Sequence, residues 1–458
     1  MRKVIMPDIR NCAPARRIGI VGGGFSGSLM VVQLLRQATS PLQIVLFEQK
    51  GVRLGKGLAY GTTDDCHLLN VPAGKMSALP DQSDHFLDWV RRHGGLPMAE
   101  PGDFLQRRLY GSYIHSLLMD AVATHQGRHQ VTFVEDEVID VREDEQVLTL
   151  LCRSGARYHA ERVALALGNF PPGDPPETAG HRGYFANPWH EQALPALLQS
   201  QSCLMIGSGL TMLDLVTSMH ARNYRGQIQV VSRRGLMPQA HRPAVQPIDT
   251  GSLHPGVSLR ALTRGVRRLV EENEGNWRAV VDAMRPLNSV VWQGWSLADR
   301  LRFIRHVRPY WENRRHRSAP ALIGQFHALI GAGRVHAHQG RVQGIVEEDG
   351  RLVVTLRTRV GGRTIAVQSV VNCTGAECNF RKLGSELVQN LLERGVTACD
   401  PTGFGITVDA SGALRDRDGR LSSRLYTLGP PMKGILWETT AVPELRGQAA
   451  ATAARLLA

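Results

Sequence analysis

The chain has 458 residues, 43% of them hydrophobic and 21% charged, which allows two or three domains and argues against a disordered protein. Its net charge of +13 comes from basic residues spread along the chain, without an aromatic-interleaved RNA motif or a DNA-binding helix, so we expect no nucleic-acid partner. No apolar run approaches the roughly eighteen residues of a membrane span, and the first residues lack the apolar core of a secretion signal, so we expect a cytoplasmic protein that binds no membrane.

The first predicted elements form a dinucleotide-binding unit. The strand "IGIV" (18–21) runs into a glycine turn with the spacing G-x-G-x-x-G, a helical stretch follows, and the strand "LQIVLF" is followed by Glu48, 21 residues after Gly27. In such units a pyrophosphate approaches the glycine backbone and faces the helix N-terminus. A carboxylate at Glu48 suits a ribose 2′-hydroxyl and disfavours a 2′-phosphate, so the ligand should be the adenosine half of FAD or NAD. The turn residues predicted to bind it are Gly22, Gly24, Phe25, Ser26 and Gly27.

A second unit follows the proline-rich stretch "NFPPGDPPETAG" (169–180), which we interpret as a linker. In "SCLMIGSGLTMLDLVTSM" the third glycine of the turn is replaced by Met212, which weakens the motif. The next strand, "QIQVVSRRG", ends in arginines, and guanidinium groups there suit a 2′-phosphate. We therefore favour NADP(H) over NAD(H), with a solvated basic strand end as the alternative. The predicted contacts are Gly207, Gly209, Thr211, Ser232, Arg233 and Arg234.

Residues 255–330 depart from this pattern. They have helical spacing, with Arg302, Arg305 and Arg308 interleaved with aromatic residues, and we predict a helical insertion that covers the cleft. These arginines could receive an anionic substrate or the NADP phosphates, or they could be solvated helix faces. His241, just after the arginine-tipped strand, is either a contact to NADP or substrate or an ordinary turn histidine.

Several segments together resemble a known family. "GGGFSG", "GLAYGTTDDCHLLNVPAGKMSALPD", "GSGLTMLDLV", "NCTGAECNF" and "LGPPMKGILWETTAVPELRGQA" are similar to bacterial FAD/NAD(P)-binding proteins, and more distantly to flavin N-hydroxylases and Baeyer-Villiger monooxygenases. The resemblance covers nearly the whole chain. It implies an α/β fold with two Rossmann-like domains: an FAD domain at 14–180 and 366–458, and an NADP domain at 181–365 that contains the insertion.

The resemblance also implies roles for individual residues. Gly168 and Gly375 would allow the turns of the two segments at which the chain crosses between domains. Gly429 would lie near the FAD ribityl phosphate, although Pro430 follows it where many flavoproteins have aspartate. The segment after it would lie towards the isoalloxazine ring through Trp437, Glu438 and Thr439.

The stretch after Glu48 would lie beside the flavin ring, with Leu69 as a contact. It contains a single cysteine, Cys66, which disfavours a thiol-disulfide relay. The seven cysteines of the chain form no CxxC or Cys/His ligand spacing, so we expect neither a disulfide framework nor a metal site. Asn70 is the candidate catalytic residue, since its amide could bond a flavin-bound oxygen or the nicotinamide; capping a turn before Pro72 is the equal alternative.

Taken together, these predictions indicate an FAD-dependent, NADPH-using oxidoreductase. Our interpretation is a monooxygenase that acts through a C4a-peroxyflavin on a small amine-like nucleophile, with O₂ as the second substrate. The substrate is a small molecule, and the sequence leaves open whether it is anionic. One alternative is an FAD-dependent dehydrogenase or reductase that does not activate oxygen. A second is a redox sensor that binds both nucleotides without turnover.

Overall fold

The computed structural model describes residues 15–175, 178, 180–242, 248–251 and 253–458. The predicted start of the first domain at residue 14, and part of the predicted linker at 169–180, lie outside the described residues. None of the helices in the described part of the chain combines the length and the apolar character that a membrane span requires. The cytoplasmic location stays a prediction.

The described residues contain seventeen β-strands. They are β1 (Arg16–Val21), β2 (Leu42–Glu48), β3 (Gln130–Glu135), β4 (Val138–Glu143), β5 (Leu148–Cys152), β6 (Arg157–Ala160), β7 (Arg162–Leu165), β8 (Tyr184–Phe185), β9 (Ser202–Ile206), β10 (Gln227–Ser232), β11 (Val335–Gln339), β12 (Arg341–Glu348), β13 (Arg351–Thr358), β14 (Gly361–Val367), β15 (Ser369–Asn372), β16 (Ala413–Arg415) and β17 (Leu421–Thr427).

Fourteen α-helices lie in the same described ranges. They are α1 (Phe25–Gln37), α2 (His85–His93), α3 (Arg107–His125), α4 (Ala193–Gln199), α5 (Leu210–Ala221), α6 (Leu259–Glu272), α7 (Trp277–Ala283), α8 (Asn288–Gly294), α9 (Leu297–Arg302), α10 (Arg308–Arg315), α11 (Pro320–Gly331), α12 (Glu386–Glu393), α13 (Lys433–Leu436) and α14 (Val442–Leu457). A π-helical turn, Phe303–Val307, joins α9 to α10.

The first sheet has six strands in the order β16-β17-β7-β1-β2-β3, all parallel except the edge strand β16. Helix α1 packs against α3 and α14 on one face. The antiparallel sheet β4-β5-β6 covers the other face, where the rings of Phe47 and Tyr158 are 5.1 Å apart. Because both faces are covered, the central strand β1 carries a continuous apolar run instead of an alternating pattern.

The second sheet has five parallel strands in the order β11-β10-β9-β15-β8. Cys203 and Met205 of β9 pack with helices α5 and α11, while Leu204 and Ile206 pack with the antiparallel sheet β12-β13-β14. This alternation follows from the two-residue period of a strand. Both units therefore have the same three layers: helices, a parallel sheet and a three-stranded antiparallel sheet.

The two sheets divide the chain somewhat differently from the predicted limits. The limit at 366 falls inside β14, and β15 pairs with β9 in the second sheet, so the chain returns to the first unit only after Asn372. Helix α11, at the end of the predicted insertion 255–330, packs in the core of the second unit. The separate helical insertion is therefore narrower and consists of α6 to α10.

The insertion has its own apolar core, which also takes in the C-terminal segment. Three of its helices have side-chain N-caps, from Ser258, Asn276 and Ser296. Its buried cluster includes Trp437 from the segment after α13, and Trp292 Nε1 donates a hydrogen bond to Gly434 O at 2.8 Å. The insertion is thus anchored on the segment that was predicted to approach the flavin.

Candidate functional site

The first glycine turn is shaped by close backbone contacts. Gly22 has φ +103°, and its N–H donates to Phe47 O at 2.9 Å. A Cβ on Gly22 would lie 2.3 Å from Ala166 O, and one on Gly27 would lie 1.8 Å from Gly22 O. Only glycine fits at these two positions, because the turn, the helix and the neighbouring strand β7 meet there.

The N-terminus of α1 opens at this turn. The helix begins at Phe25 with Gly24 as its N-cap, and no side chain in the described part of the chain caps it. The Phe25 ring is buried against Tyr60 at 5.6 Å, so this residue presents only its backbone to a ligand. Ser26 Oγ lies 3.7 Å from the position that a Cβ on Gly429 would occupy, which brings the C-terminal segment to the same helix end. Uncapped N–H groups at a helix N-terminus are suited to bind an anion.

Glu48 lies at the end of β2, directly beside the turn. Its carboxylate accepts hydrogen bonds from the N–H groups of Gly23 at 3.0 Å and Lys50 at 3.3 Å. These bonds hold the acid next to the glycines, where the ribose of a dinucleotide lies in folds of this type.

The second glycine turn repeats the geometry of the first. Gly207 has φ +112°, its N–H donates to Val231 O at 2.8 Å, and a Cβ there would lie 2.4 Å from Cys373 O. Helix α5 begins after Gly209, and within the described residues no side chain caps it. Thr211 is half-buried in the first turn of this helix. The replacement of the third glycine by Met212 is accommodated, since Met212 is fully buried in the core of the unit.

The two segments predicted to cross between the units end at these turns. Gly168 lies just after β7, and Ala166, the first residue after that strand, is close to Gly22 of the first turn. Gly375 lies just after β15, and Cys373, the first residue after that strand, is close to Gly207 of the second turn. Each glycine turn therefore packs against the end of a strand that is more than 100 residues away in sequence.

Arg233 and Arg234 directly follow β10, at the position in the second unit that corresponds to Glu48 at the end of β2. Arg233 is exposed as a whole residue. Partial burial of its guanidinium, together with the charges of Arg234, Arg308 and Arg341, lowers its pKa. Arg234 donates from Nη2 to Arg305 O at 3.2 Å and lies 5.5 Å from the ring centre of Tyr310. Neither Arg233 nor Arg234 forms an ion pair within the described residues. The result is a concentration of unneutralised positive charge at this strand end.

Two of the predicted contacts carry buried hydroxyl groups without partners. Ser232 Oγ, at the end of β10, and Thr439 Oγ1, in the C-terminal segment, are buried and have no hydrogen-bond partner in the described part of the chain. Buried polar atoms are normally paired, so a hydroxyl without a protein partner at a predicted ligand contact fits a group that bonds a ligand.

The segment around Trp437 is turned differently from the prediction. Trp437 has φ +63°, and its ring packs inside the insertion, 4.7 Å from Trp292 and 5.0 Å from Phe303. Glu438 is also buried and faces the insertion, where its Oε1 accepts from Trp311 Nε1 at 3.4 Å and lies 3.5 Å from Arg315 Nε. These two side chains therefore attach the insertion to the segment.

A small cavity of about 20 Å³ lies where the first crossing segment meets the C-terminal segment. Lys433, at its edge, is 3.5 Å from Glu312 Oε1. Burial would raise the pKa of Glu312, but the charges of Arg308 and Lys433 outweigh it and hold that pKa below its ordinary value. The cavity is lined by Gly168, Asn169, Phe170, Glu377, Cys378, Phe380, Pro430, Lys433 and Thr440.

Asn70 and His241 come together from distant parts of the chain. His241 Nε2 donates to Asn70 O at 2.8 Å, and Asn70 Oδ1 accepts from Ser318 Oγ at 3.4 Å. Burial, assisted by Arg317, lowers the pKa of His241 to about 4, so its imidazole is neutral near pH 7. Leu69, by contrast, is buried in the first core and its N–H is bonded to Leu105 O, so it presents neither its side chain nor its N–H to a ligand.

No sequence pattern predicted the contacts that join the two units. Arg107 forms a paired hydrogen bond with the Asp214 carboxylate at 2.8 and 3.0 Å. Asp64 pairs with Arg222 and accepts from Ser218 Oγ. Such pairs depend on residues more than 100 positions apart, which no local pattern reveals.

One group of side chains at this junction has the composition of a metal site. Ligand atoms of Asp64, Cys66 and His67 lie within 4.8 Å of one another. Arg222 and Ser218 already bind Asp64, and Ser218 Oγ also lies 2.8 Å from His67 Nε2. A guanidinium bound to the carboxylate repels a cation, so this group acts as part of the contact between the units.

Comparison with known proteins identifies the first unit. Residues 19–170 match a family model described as FAD-NAD(P)-binding. These residues form an FAD/NAD(P)-binding domain. The match includes the first glycine turn, Glu48 and the end of β7, and it confirms the cofactor class predicted for this domain. No curated protein matches the chain in sequence.

Solved structures extend the likeness to both units. The ornithine N-hydroxylase of Kutzneria sp. 744 is 14% identical, with a TM-score of 0.66 over 97% of this chain and 99% of its own. The L-lysine 6-monooxygenase of Pseudomonas syringae is 14% identical, with a TM-score of 0.64 over 96% and 99%. The bacillithiol disulfide reductase of Bacillus cereus is 12% identical, with a TM-score of 0.55 over 97% and 99%. The predicted fold class, α/β with two Rossmann-like domains, is confirmed by these likenesses, which span both units.

Proposed function

We propose that this protein is an FAD-dependent, NADPH-using oxidoreductase that acts as a monooxygenase on a small amine. The observation that carries the proposal is that the two units share one glycine-turn geometry but differ in the charge of the residues that follow the next strand. Gly22 and Gly207 adopt the same positive-φ turn against a strand end, yet the next strand ends in Glu48 in one unit and is followed by Arg233 and Arg234 in the other. Two nucleotides of different chemistry explain this difference.

The first unit would hold FAD. The α1 N-terminus would receive its pyrophosphate, Glu48 its adenosine ribose, and Gly429 would lie along its ribityl chain. The close approach of Gly429 to Ser26 and the orphaned Thr439 hydroxyl support this placement. Trp437 and Glu438 would not contact FAD with their side chains, which face the insertion; they would hold the segment in place.

The second unit would hold NADPH. The α5 N-terminus, with Gly207, Gly209 and Thr211, would receive its pyrophosphate, and the orphaned Ser232 hydroxyl with the two arginines would receive its 2′-phosphate. We propose a domain division that follows the sheets, with residues from after β7 to β15 forming the NADPH unit.

Bound FAD would supply the redox chemistry by accepting hydride from NADPH and reacting with O₂. The protein would orient the ligands and exclude water. The neutral His241 holds the backbone of Asn70, which leaves the Asn70 side-chain NH₂ available to donate towards a ligand. An amine substrate is supported by three of the fold neighbours, which are named as an ornithine N-hydroxylase, a cadaverine monooxygenase and an L-lysine 6-monooxygenase.

The purified protein tests this proposal directly. We expect a yellow protein with an FAD spectrum that NADPH bleaches without oxygen. After mixing with O₂ in the presence of a suitable amine, O₂ uptake should match formation of a hydroxylamine. Hydrogen peroxide release without hydroxylated product would favour the dehydrogenase or reductase alternative. Bound FAD that NADPH does not reduce would favour the non-catalytic sensor, and protein without flavin would refute the proposal.

A further inference from the structure

Four arginines gather beside the turn that carries His241. The guanidinium groups of Arg278 and Arg314 lie 4.2 and 5.7 Å from the ring centre of Trp277. Arg278 Nε donates to Ala240 O at 3.0 Å, which ties this group to the turn. Arg242 directly follows His241, and Arg317 directly precedes Ser318, whose carbonyl accepts from the His241 N–H at 3.0 Å. We name Arg242, Arg278, Arg314 and Arg317 the arginine cluster; burial, together with the charges of Arg242 and Arg317, also lowers the pKa of Arg278.

The arginine cluster is not neutralised by the protein. Arg317 is 5% exposed; it pairs with Asp282 through Nη2, and its Nε is buried without a hydrogen-bond partner. Within the described residues, no ion pair involves Arg242, Arg278 or Arg314. Among the described residues, the four arginines of the cluster therefore form one ion pair, that of Arg317 with Asp282. Repulsion between like charges and an unpaired buried donor both oppose folding, and a bound anion would relieve both.

The position of the cluster indicates which molecule would bring that anion. The main chain of Ala240, which holds Arg278, continues into His241, and His241 binds the Asn70 backbone. Arg233 and Arg234, the cofactor arginines proposed to bind NADPH, are separate from the cluster but near it: Arg234 contacts Tyr310 in α10, and Arg314 lies one helical turn further along the same helix. The cluster thus borders the predicted reaction position, beside the place proposed for the 2′-phosphate.

We propose that the arginine cluster binds a phosphate group carried by the substrate. Guanidinium groups bind phosphate through paired N–H donors, and an excess of three positive charges matches a dianion better than a single carboxylate. This inference rests on the proposed function, because it assigns NADPH to Arg233 and Arg234. It narrows the substrate to a small amine that also carries a phosphate.

Calorimetric titration with inorganic phosphate tests the cluster. The FAD-loaded protein is first saturated with NADP⁺, so that the cofactor arginines are occupied, and chloride keeps the ionic strength constant. We expect one phosphate to bind to the wild type, and at least tenfold weaker binding to the Arg278→Gln/Arg314→Gln variant. Arg314→Gln alone, which removes no hydrogen bond to any described residue, should weaken binding less. Arg351→Gln, on an exposed position of β13, is the matched control and should bind as the wild type does.

Two results would overturn the inference. Equal phosphate binding by the wild type and the double variant would place the anion elsewhere. A loss of NADP⁺ affinity in the double variant as large as that in Arg233→Ala would assign the cluster to the cofactor. Failure of the proposed function is recognised separately, because absence of FAD or of bleaching by NADPH is seen in the absorbance spectrum before phosphate is added.

Discussion

Replacing Arg233 tests which coenzyme the second unit binds. Its side chain is exposed and forms no ion pair within the described residues, so Arg233→Ala should remove a ligand contact with little damage to the fold. A hydrogen bond to a charged group contributes about 1.5–3 kcal/mol. Because each 1.4 kcal/mol is a factor of ten, the KM for NADPH should rise roughly 10- to 100-fold. The KM for NADH, which has no 2′-phosphate, should change less than about twofold.

Anaerobic reduction of the flavin, followed with each coenzyme at several concentrations, measures both values. Arg234→Ala should also weaken NADPH binding, but it removes the contacts to Arg305 O and Tyr310 and should lower thermal stability as well. Arg351→Ala serves as the control for loss of one positive charge. Equal changes for NADPH and NADH in the Arg233 variant would show that no 2′-phosphate binds there.

Three further predictions follow from single contacts. Gly207→Ala should abolish reduction of the flavin by NADPH while FAD stays bound, because the added Cβ would lie 2.4 Å from Cys373 O. Gly324→Ala, whose Cβ would meet no described atom within 4 Å, should keep full activity. Arg107→Met should lower the free energy of unfolding in urea by about 3–5 kcal/mol, since it leaves Asp214 buried and unpaired, and adding Asp214→Leu should restore part of the loss. The pKa of His241 is about 4 when folded and near 6.5 when unfolded, so stability should fall as the pH drops from 6.5 to 4; His241→Gln should show a weaker fall, and an identical pH profile would contradict the assignment.

The glycine turns were predictable because their signal is local. The spacing of Gly22, Gly24 and Gly27, an apolar strand before them and an acid or arginine after the next strand all lie within about 30 residues. The structure places each of these features where the pattern predicts, including the second turn with its missing third glycine. Steric contacts within a strand, a turn and a helix leave few alternatives for such a sequence.

The direction of individual side chains was not predictable in the same way. The segment "WETTAV" was expected to face the flavin, but Trp437 and Glu438 face the helical insertion instead. Their direction depends on Trp292, Phe303 and Arg315, which lie more than 100 residues away in sequence. An apolar cluster formed by residues far apart in sequence produces no hydrophobic periodicity within the short segment that packs into it.

Asn70 shows how both kinds of information combine. Its predicted place beside the flavin ring came from a family resemblance, and its two alternatives, a ligand contact or a turn cap, could not be separated from the sequence. In the structure its backbone is bound by His241, and Ser318 donates to its Oδ1. An oxygen that already accepts a hydrogen bond orients the amide, so the NH₂ group is the part of Asn70 that can serve a ligand as donor. The catalytic role proposed for Asn70 is therefore that of a donor held in place by residues of the second unit, and loss of His241 should disturb it without removing any atom of the asparagine.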